Sequence, residues 1–188
     1  MRLAKWAKAF LLILIVLLLS CESFQQPKPK AQFRLQYPEP KYKQVPDYFR
    51  FDFEYNDWVQ LKGIAKTAPD LYYPEMKATL YLSYVAIENN IDSLLKDAYQ
   101  LPGKHLIKAK EIPEKLFMAP DNRVYGTLFT VVGNAASQLQ FFVTDSTDHF
   151  LIGALYFYSR PNYDSIMPAA KYVERDVIHL IETLRWKY

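Results

Sequence analysis

The chain has 188 residues, of which 51% are hydrophobic and 16% aromatic, so it contains enough apolar material for a packed core. Three of its 23 basic side chains lie in residues 1–8, and the remaining 20 balance the 20 acidic side chains. This balance argues against nucleic acid as a partner, because nucleic-acid binding needs a basic patch or stripe. The single cysteine excludes an internal disulfide bond.

Residues 1–20 have the layout of a secretory signal peptide: basic residues, an apolar run over residues 9–19, and the small Ser20. The apolar run is shorter than the roughly 20 residues that a membrane-spanning helix needs. The string LLSC at residues 18–21 resembles a bacterial lipobox. It predicts that Cys21 becomes the acylated first residue of the mature chain, with palmitate-like chains that anchor it in a membrane. The alternative is a plain signal peptide with a chance cysteine at the junction.

Residues 21–46 are predicted to be the tether that follows the lipidated cysteine. The stretch contains five prolines, and proline-rich segments run extended at about 3.1 Å per residue. Within it, Phe33, Leu35 and Tyr37 alternate with polar residues, which also indicates an edge strand lying on the domain. We predict one domain over residues 47–188.

The first half of this domain begins with two predicted strands. Residues 48–55 (YFRFDFEY) alternate between aromatic and charged side chains, and residues 77–84 place Ala78, Leu80 and Leu82 on one face. The period then changes, which predicts a helix over residues 86–99 that Pro102 and Gly103 then break. Residues 105–120 are ambiguous, and we expect a helical turn followed by a short strand at residues 115–118.

The second half predicts three strands at residues 123–132, 137–144 and 149–158, joined by short turns as antiparallel hairpins. The last strand is apolar on both faces, which indicates a central position. A C-terminal helix follows, capped by Asp164 or Ser165, and Trp186 pins its end. The predicted fold is α+β, an antiparallel β-sheet with packed helices, and its element order resembles PsbP/Mog1-like sandwiches.

Candidate metal ligands cluster at one predicted turn, where Asp145, Asp148 and His149 place two carboxylates and an imidazole within five residues. The alternative is a hairpin turn whose polar side chains bond their own backbone. Asp52 and Glu54 are the most obvious acid pair for glycan hydrolysis, but both lie on the polar face of one predicted strand. With no nucleophile motif either, the sequence predicts a protein that is not an enzyme and has no cofactor.

A cluster of aromatic and polar residues surrounds the end of the last predicted strand. The chain has 15 tyrosines, and tyrosine and arginine are enriched where proteins bind proteins. In the alternative interpretation, most of these tyrosines cover sheet edges and helix seams. The candidate partner-binding residues at this point are Tyr156, Tyr158, Arg160, Asn162 and Tyr163.

Longer strings carry a family resemblance. The longest, GNAASQLQFFVTDSTDHFLIGALYFYSRPNYDSIMPAAKYV at residues 133–173, is joined by PEMKATLYLSY, IDSLLKDAYQL and ETLRWK. These strings resemble the gliding motility lipoprotein GldD family of the Bacteroidota. By position, the resemblance singles out two turns as partner-binding candidates, and both also have a structural interpretation. The first contains Gly133, Asn134, Ser137 and Gln138; the second contains Arg160, Asn162, Tyr163 and Asp164.

The resemblance implies a role in the envelope machinery for gliding and the associated type IX secretion system, without a known activity or cofactor. The main hypothesis is a non-catalytic lipoprotein that docks on other gliding or secretion subunits. The alternative is a periplasmic ion- or ligand-binding module at Asp145, Asp148 and His149. Surface-exported lipoproteins of this phylum carry acidic residues clustered after the lipidated cysteine, whereas Glu22 stands alone here. The expected location is therefore the periplasmic face of the outer membrane.

Overall fold

A computed structural model describes residues 37–63, 67–103, 109–158 and 162–188, all within one compact unit of the chain. The predicted signal peptide, the lipidation site at Cys21 and residues 22–36 of the tether lie outside these ranges. Within them, no helix combines the length and the apolar character that crossing a membrane requires.

The described residues form short and long strands, two α-helices and one 3-10 turn. In chain order they are β1 (Tyr42–Gln44), β2 (Phe51–Asp52), β3 (Glu54–Asn56), β4 (Gln60–Lys62), β5 (Asp70–Tyr73), β6 (Ala78–Ala86), α1 (Ile91–Gly103), β7 (Ala109–Glu111), β8 (Glu114–Ala119), the 3-10 turn (Pro120–Asn122), β9 (Val124–Thr130), β10 (Val132–Gly133), β11 (Ser137–Thr144), β12 (His149–Phe157), α2 (Tyr163–Thr183) and β13 (Arg185–Trp186).

The main sheet has seven antiparallel strands in the order β4-β5-β6-β12-β11-β9-β8. Strand β12 is the middle strand, which confirms the central position predicted from its apolar sequence. The hairpins β9-β11 and β11-β12 are antiparallel as predicted, and a strand occupies residues 115–118 within β8. The α+β fold class is confirmed, and the likeness to PsbP/Mog1 sandwiches stays a prediction.

The two helices lie on opposite faces of this sheet. Helix α2 covers one face, where Val173 and Val177 join a large core with Leu80 and Leu155. Burying each such aliphatic side chain contributes about 1.5–3 kcal/mol. Helix α1 covers only part of the other face, which we call the α1 face. The cluster beneath α1 is built from Ala98, Phe129, Phe142 and Phe150.

The aromatic stretch at residues 48–55 buries one side, as its alternation predicts, but it is not one strand. Phe51 in β2 pairs with Trp186 in β13, whereas Tyr55 in β3 pairs with Lys43 in β1. Phe53 lies between the two strands, and its carbonyl accepts the Val45 N–H at 3.0 Å. The single predicted strand is wrong because its two halves have different partners, both outside the main sheet.

Strand β1 lies within residues 21–46, the segment that the sequence assigned to the tether. It pairs with β3 in three registered positions, from Tyr42 opposite Asn56 to Gln44 opposite Glu54. The folded part of the chain therefore includes residues before 47. The proline content of this segment masked a strand whose pairing partner lies elsewhere in the sequence.

The predicted helix at residues 86–99 begins later and ends later. Ala86 still belongs to β6, opposite His149 in β12, and helix α1 starts only at Ile91. Ile87 fits the helical period, yet it packs against the cluster beneath α1 from the preceding loop. The helix ends at Gly103, where Pro102 and Gly103 were predicted to break it, and Pro102 itself is tolerated in the last turn because its missing N–H removes a single hydrogen bond.

Candidate functional site

The two turns singled out by sequence lie against each other in the structure. The Asn134 side-chain Oδ1 accepts a hydrogen bond from the Tyr163 backbone N–H at 2.8 Å. Asn134 therefore satisfies one of the free N–H groups at the start of α2, where Asn162 occupies the cap position but makes no side-chain capping bond. Asp164 and Ser165, the predicted caps, lie inside the first turn instead, so that prediction is wrong. Arg160 lies outside the described residues.

Three of the candidate residues at the first turn have structural roles. Ser137 and Gln138 are buried, and their side chains donate to the carbonyls of Leu139 at 3.1 Å and Ala135 at 2.8 Å. Gly133 has a φ of 135°, a conformation that side chains disfavour, and it belongs to β10 rather than to the turn. The geometry therefore favours the structural interpretation for Gly133, Ser137 and Gln138.

The α1 face carries four tyrosines beyond the area that α1 covers, and we call them the tyrosine patch. The exposed fractions are 38% for Tyr81, 39% for Tyr156 and 58% for Tyr158. Tyr72 is half-buried, and its ring meets the Tyr158 ring edge-on at 6.4 Å between centroids. The Tyr81 and Tyr156 rings meet in the same way at 5.9 Å. The rings of Tyr72, Tyr81 and Tyr156 come from β5, β6 and β12, and Tyr158 directly follows β12, so a rigid sheet positions them.

Hydroxyl contacts order this patch. The Tyr158 hydroxyl lies 2.9 Å from the Thr79 Oγ1 and 2.8 Å from the Tyr81 hydroxyl. The hydrogen bonds with Thr79 and Tyr81 lower the pKa of Tyr158, and the bond with Tyr158 raises the pKa of Tyr81. The Lys62 ammonium lies 3.3 Å from the centre of the Tyr72 ring as a cation–π contact. The rings are thus held in place before any partner arrives.

Such an arrangement suits protein recognition. Tyrosines offer large contact areas with few rotatable bonds, so little conformational entropy is lost when they bind. The predicted candidates Tyr156 and Tyr158 belong to this patch, whereas Tyr72 and Tyr81 were not predicted. Register places Ser137 opposite Tyr156, so the turn held by Asn134 lies at the same end of the sheet. The alternation of KATLYLSY already placed Tyr81 opposite the core face, which is the signal that could have found it.

The second candidate group, at residues 145–149, forms a closed hairpin turn. The Asp145 Oδ1 accepts three backbone N–H groups, from Thr147 at 3.0 Å and from Asp148 and His149 at 2.9 Å each. The Asp145 Oδ2 accepts the hydroxyls of Thr147 at 3.1 Å and Tyr188 at 3.0 Å. Both oxygens are thus already committed to donors, which favours the turn interpretation over the metal site.

The electrostatics of the turn agree with this geometry. Burial raises the pKa of Asp145, but the backbone N–H groups of His149, Asp148 and Thr147 together lower it further, to a net value of about 2. The carboxylate is therefore ionised and occupied at neutral pH. Within the described ranges, no group of three or more His, Cys, Asp and Glu side chains is placed to hold a metal ion.

A buried polar network on the opposite face was not predicted. Asp176 in α2 is only 5% exposed, and its carboxylate accepts the Tyr42 hydroxyl at 3.0 Å and the Asn56 amide at 3.2 Å. Burial raises the pKa of Asp176, and hydrogen bonds from Asn56, Tyr42 and Tyr73 partly offset that rise. The signal was present in the sequence, because Asp176 falls beside Val173 and Val177 on the apolar side of the helix.

Comparison with known proteins places the chain in a family. The model of the family described as gliding motility lipoprotein GldD matches residues 22–186. No curated protein matches the chain. No solved structure matches it either.

Proposed function

Because the chain belongs to the gliding motility lipoprotein GldD family, we propose that it is a non-catalytic, membrane-anchored subunit that docks on other envelope proteins. The partners are subunits of the gliding machinery and of the associated type IX secretion system. The anchor is the acylated Cys21, and the location is the periplasmic face of the outer membrane. The lone Glu22 after the cysteine supports that location, since surface export in this phylum goes with clustered acidic residues.

The tyrosine patch carries this proposal. It combines three exposed aromatic rings, a fixed network of hydroxyl contacts and a rigid sheet beneath them. Interface energy is concentrated in a few aromatic and arginine side chains of this kind. The patch also lies on the α1 face, beyond the part that the protein's own helix covers.

Two buried carboxylates that could otherwise act in catalysis are engaged in structural hydrogen bonds, which supports a non-catalytic role. The Asp145 carboxylate holds its own hairpin turn, and the Asp176 carboxylate holds Tyr42 and Asn56. Each therefore has a structural use that accounts for its burial.

A complementation experiment in the native host tests the proposal. In a deletion strain, the double variant Tyr156→Ala/Tyr158→Ala should lose colony spreading and secretion of a type IX cargo. Recovery of co-purifying envelope proteins should fall at least about tenfold, because each interface tyrosine contributes on the order of 1–2 kcal/mol. Tyr48→Ala is the matched control, since Tyr48 is 54% exposed and lies outside the patch.

The anchor is tested in the same strain with Cys21→Ala, which should also fail to restore spreading. Both variants must accumulate to the wild-type level for the comparison to count. Full rescue and unchanged partner recovery with the double tyrosine variant would show that the patch is not the docking surface. Normal spreading and secretion in the deletion strain itself, in a host that glides, would remove the proposed role altogether.

A further inference from the structure

The tyrosine patch carries one more hydroxyl proton than its internal hydrogen bonds use. Thr79, Tyr81 and Tyr158 bring three hydroxyl groups together, and two contacts join them, at 2.9 Å and 2.8 Å. Each hydroxyl donates one proton and can accept two. Two protons therefore fill the two contacts, and the third proton, which we call the spare proton, has no acceptor among the three groups.

Burial decides which hydroxyl holds the spare proton. Thr79 is 2% exposed, and a buried O–H without an acceptor loses the hydrogen bond that water would otherwise give it. Among the described residues, the Tyr158 oxygen is the acceptor that the Thr79 hydroxyl reaches. Thr79 therefore donates to Tyr158, and the spare proton belongs to the exposed Tyr81 or Tyr158. The patch thus presents a hydrogen-bond donor on its surface.

A cation lies beside this donor. The Lys62 side chain is exposed, and its ammonium lies on the face of the Tyr72 ring, which in turn meets the Tyr158 ring. No carboxylate of the described residues lies within ion-pair distance of this ammonium. Asp70 stands opposite Lys62 in the β4-β5 register, but it is buried and already engaged. The surface therefore offers a positive charge without a counter-charge.

We propose that the tyrosine patch recognises an acidic segment of its protein partner. Asp or Glu side chains of that segment pair with the Lys62 ammonium and accept the spare proton, while its apolar side chains pack on the tyrosine rings. The inference rests on the proposed docking function. An ionised carboxylate suits both groups, because it accepts hydrogen bonds without donating any and supplies the missing counter-charge. A backbone carbonyl would satisfy the hydroxyl but would leave the ammonium unpaired.

A zero-length cross-linker tests the ion pair directly. In native membranes that contain the full lipoprotein, a water-soluble carbodiimide joins an amine to a carboxylate in contact with it as an amide. The expected product links Lys62 to an Asp or Glu of a different protein, and mass spectrometry of the proteolytic peptides identifies both sites. The link between Lys187 and Asp52, whose charged atoms lie 2.7 Å apart, is the internal control for the reaction.

Charge reversal tests the same pair by affinity. Lys62→Glu should reduce recovery of the cross-linked protein about tenfold, because it replaces attraction by repulsion across the interface. Replacing the linked acid of that protein by lysine should restore recovery with the Lys62→Glu chain. Lys171→Glu is the matched control, since it makes the same charge change at an exposed position of α2, on the opposite face, and should leave recovery unchanged.

The outcomes separate this inference from the docking function. A Lys187 link without a link from Lys62 to another protein overturns the inference. A link from Lys62 to Asp70 also overturns it, because the cation would then be paired within the chain. Unchanged recovery with Lys62→Glu, beside a loss with Tyr156→Ala/Tyr158→Ala, rejects the acidic partner and keeps docking on the patch. Unchanged recovery with the double tyrosine variant rejects both.

Discussion

His149 is a buried imidazole enclosed by aromatic rings. The Trp186 indole stacks on it with 5.0 Å between ring centroids and an interplanar angle of 3°, and Tyr188 meets it edge-on at 5.2 Å. The Tyr84 hydroxyl bonds its Nδ1 at 2.7 Å, while the buried Nε2 has no partner among the described residues. A protonated ring would bury a positive charge whose Nε2–H has no acceptor among the described residues, so this site favours the neutral form.

This environment predicts a pH dependence of stability. Burial lowers the pKa of His149, and the carboxylates of Asp145 and Asp148 only partly oppose it, while Arg50 and Arg123 lower it further. The folded-state pKa of His149 lies below the unfolded value of about 6.5. The stability that neutral His149 contributes is therefore fully present above that pH and is lost as the pH falls. The free energy of unfolding should thus decrease between about pH 7 and pH 5.

The measurement is urea denaturation at several pH values for the wild type and for His149→Phe, which keeps a stacked ring but cannot titrate. The difference between the two stability curves should slope over this range. Parallel curves would mean that His149 contributes no proton linkage.

For single residues, the sequence predicts local turn structure better than it predicts long-range contacts. The turn character of residues 145–148 follows from local chemistry, since Asp145 bonds the backbone of its immediate neighbours. The bond from Tyr163 to Asn134 spans 29 residues, and no local pattern predicts it. The same holds for Asp176, whose partner Tyr42 lies 134 residues away.

Among the elements, the central strands depend on one close approach. Gly153 in β12 lies directly opposite Phe141 in β11, and the Phe141 ring occupies the space that a side chain at position 153 would need. A Cβ added there would lie 2.0 Å from the Phe141 Cε1 atom. Phe141 is itself only 2% exposed, so its ring has little room to move.

Gly153→Ala should therefore destabilise the fold by about 2–3 kcal/mol, the cost typical of an overpacked core. The expected reason is displacement of one ring, which a smaller residue would relieve. In a Phe141→Leu background, the additional cost of Gly153→Ala should fall below about 1 kcal/mol. Chemical denaturation of the wild type, the two single variants and the double variant gives both costs as a double-mutant cycle. An equal cost of Gly153→Ala in both backgrounds would contradict the steric explanation.

Element prediction succeeded where the pairing partner was close in sequence. Residues 137–144 form β11 with the predicted bounds, because alternation and short turns on both sides specify a meander locally. The stretch at residues 48–55 divides into β2 and β3 because its first half pairs with β13, more than 130 residues later, whereas its second half pairs with β1, which lies just before the stretch. Such competition depends on tertiary context that period and propensity do not contain.

On the scale of the whole molecule, Trp186 connects segments that are distant in sequence. Trp186 pairs with Phe51 in the small sheet β2-β13, stacks on His149 of the main sheet and donates its indole N–H to the Arg123 carbonyl at 3.0 Å. One side chain thus joins three parts of the chain. The sequence predicted that Trp186 pins the end of the helix, and the structure buries it at 7% exposure.

Trp186→Ala should reduce the free energy of unfolding by about 3–5 kcal/mol, through lost burial and a cavity next to His149. Tyr188→Ala is the neighbouring control and should cost about 1 kcal/mol or less, because Tyr188 is 75% exposed. Thermal or urea unfolding of the purified variants gives both values. Similar losses for the two variants would show that the end of the chain acts through general contacts instead of through the indole.

Strand β1 has a mechanical consequence for an anchored protein. It is antiparallel to β3, and its pairing starts at Tyr42, so tension applied at its N-terminal end opens the ladder one hydrogen bond at a time. The side chains that resist are Tyr172, which donates to the Pro38 carbonyl at 2.9 Å, and Tyr42, stacked on His179 and bonded to Asp176. Detaching residues 37–44 from the domain would lengthen the tether by about 25 Å, at roughly 3.3 Å per residue. The seven-stranded sheet would carry no tension while β1 detaches. Under tension on the tether, β1 should therefore separate from the domain before the main sheet unfolds.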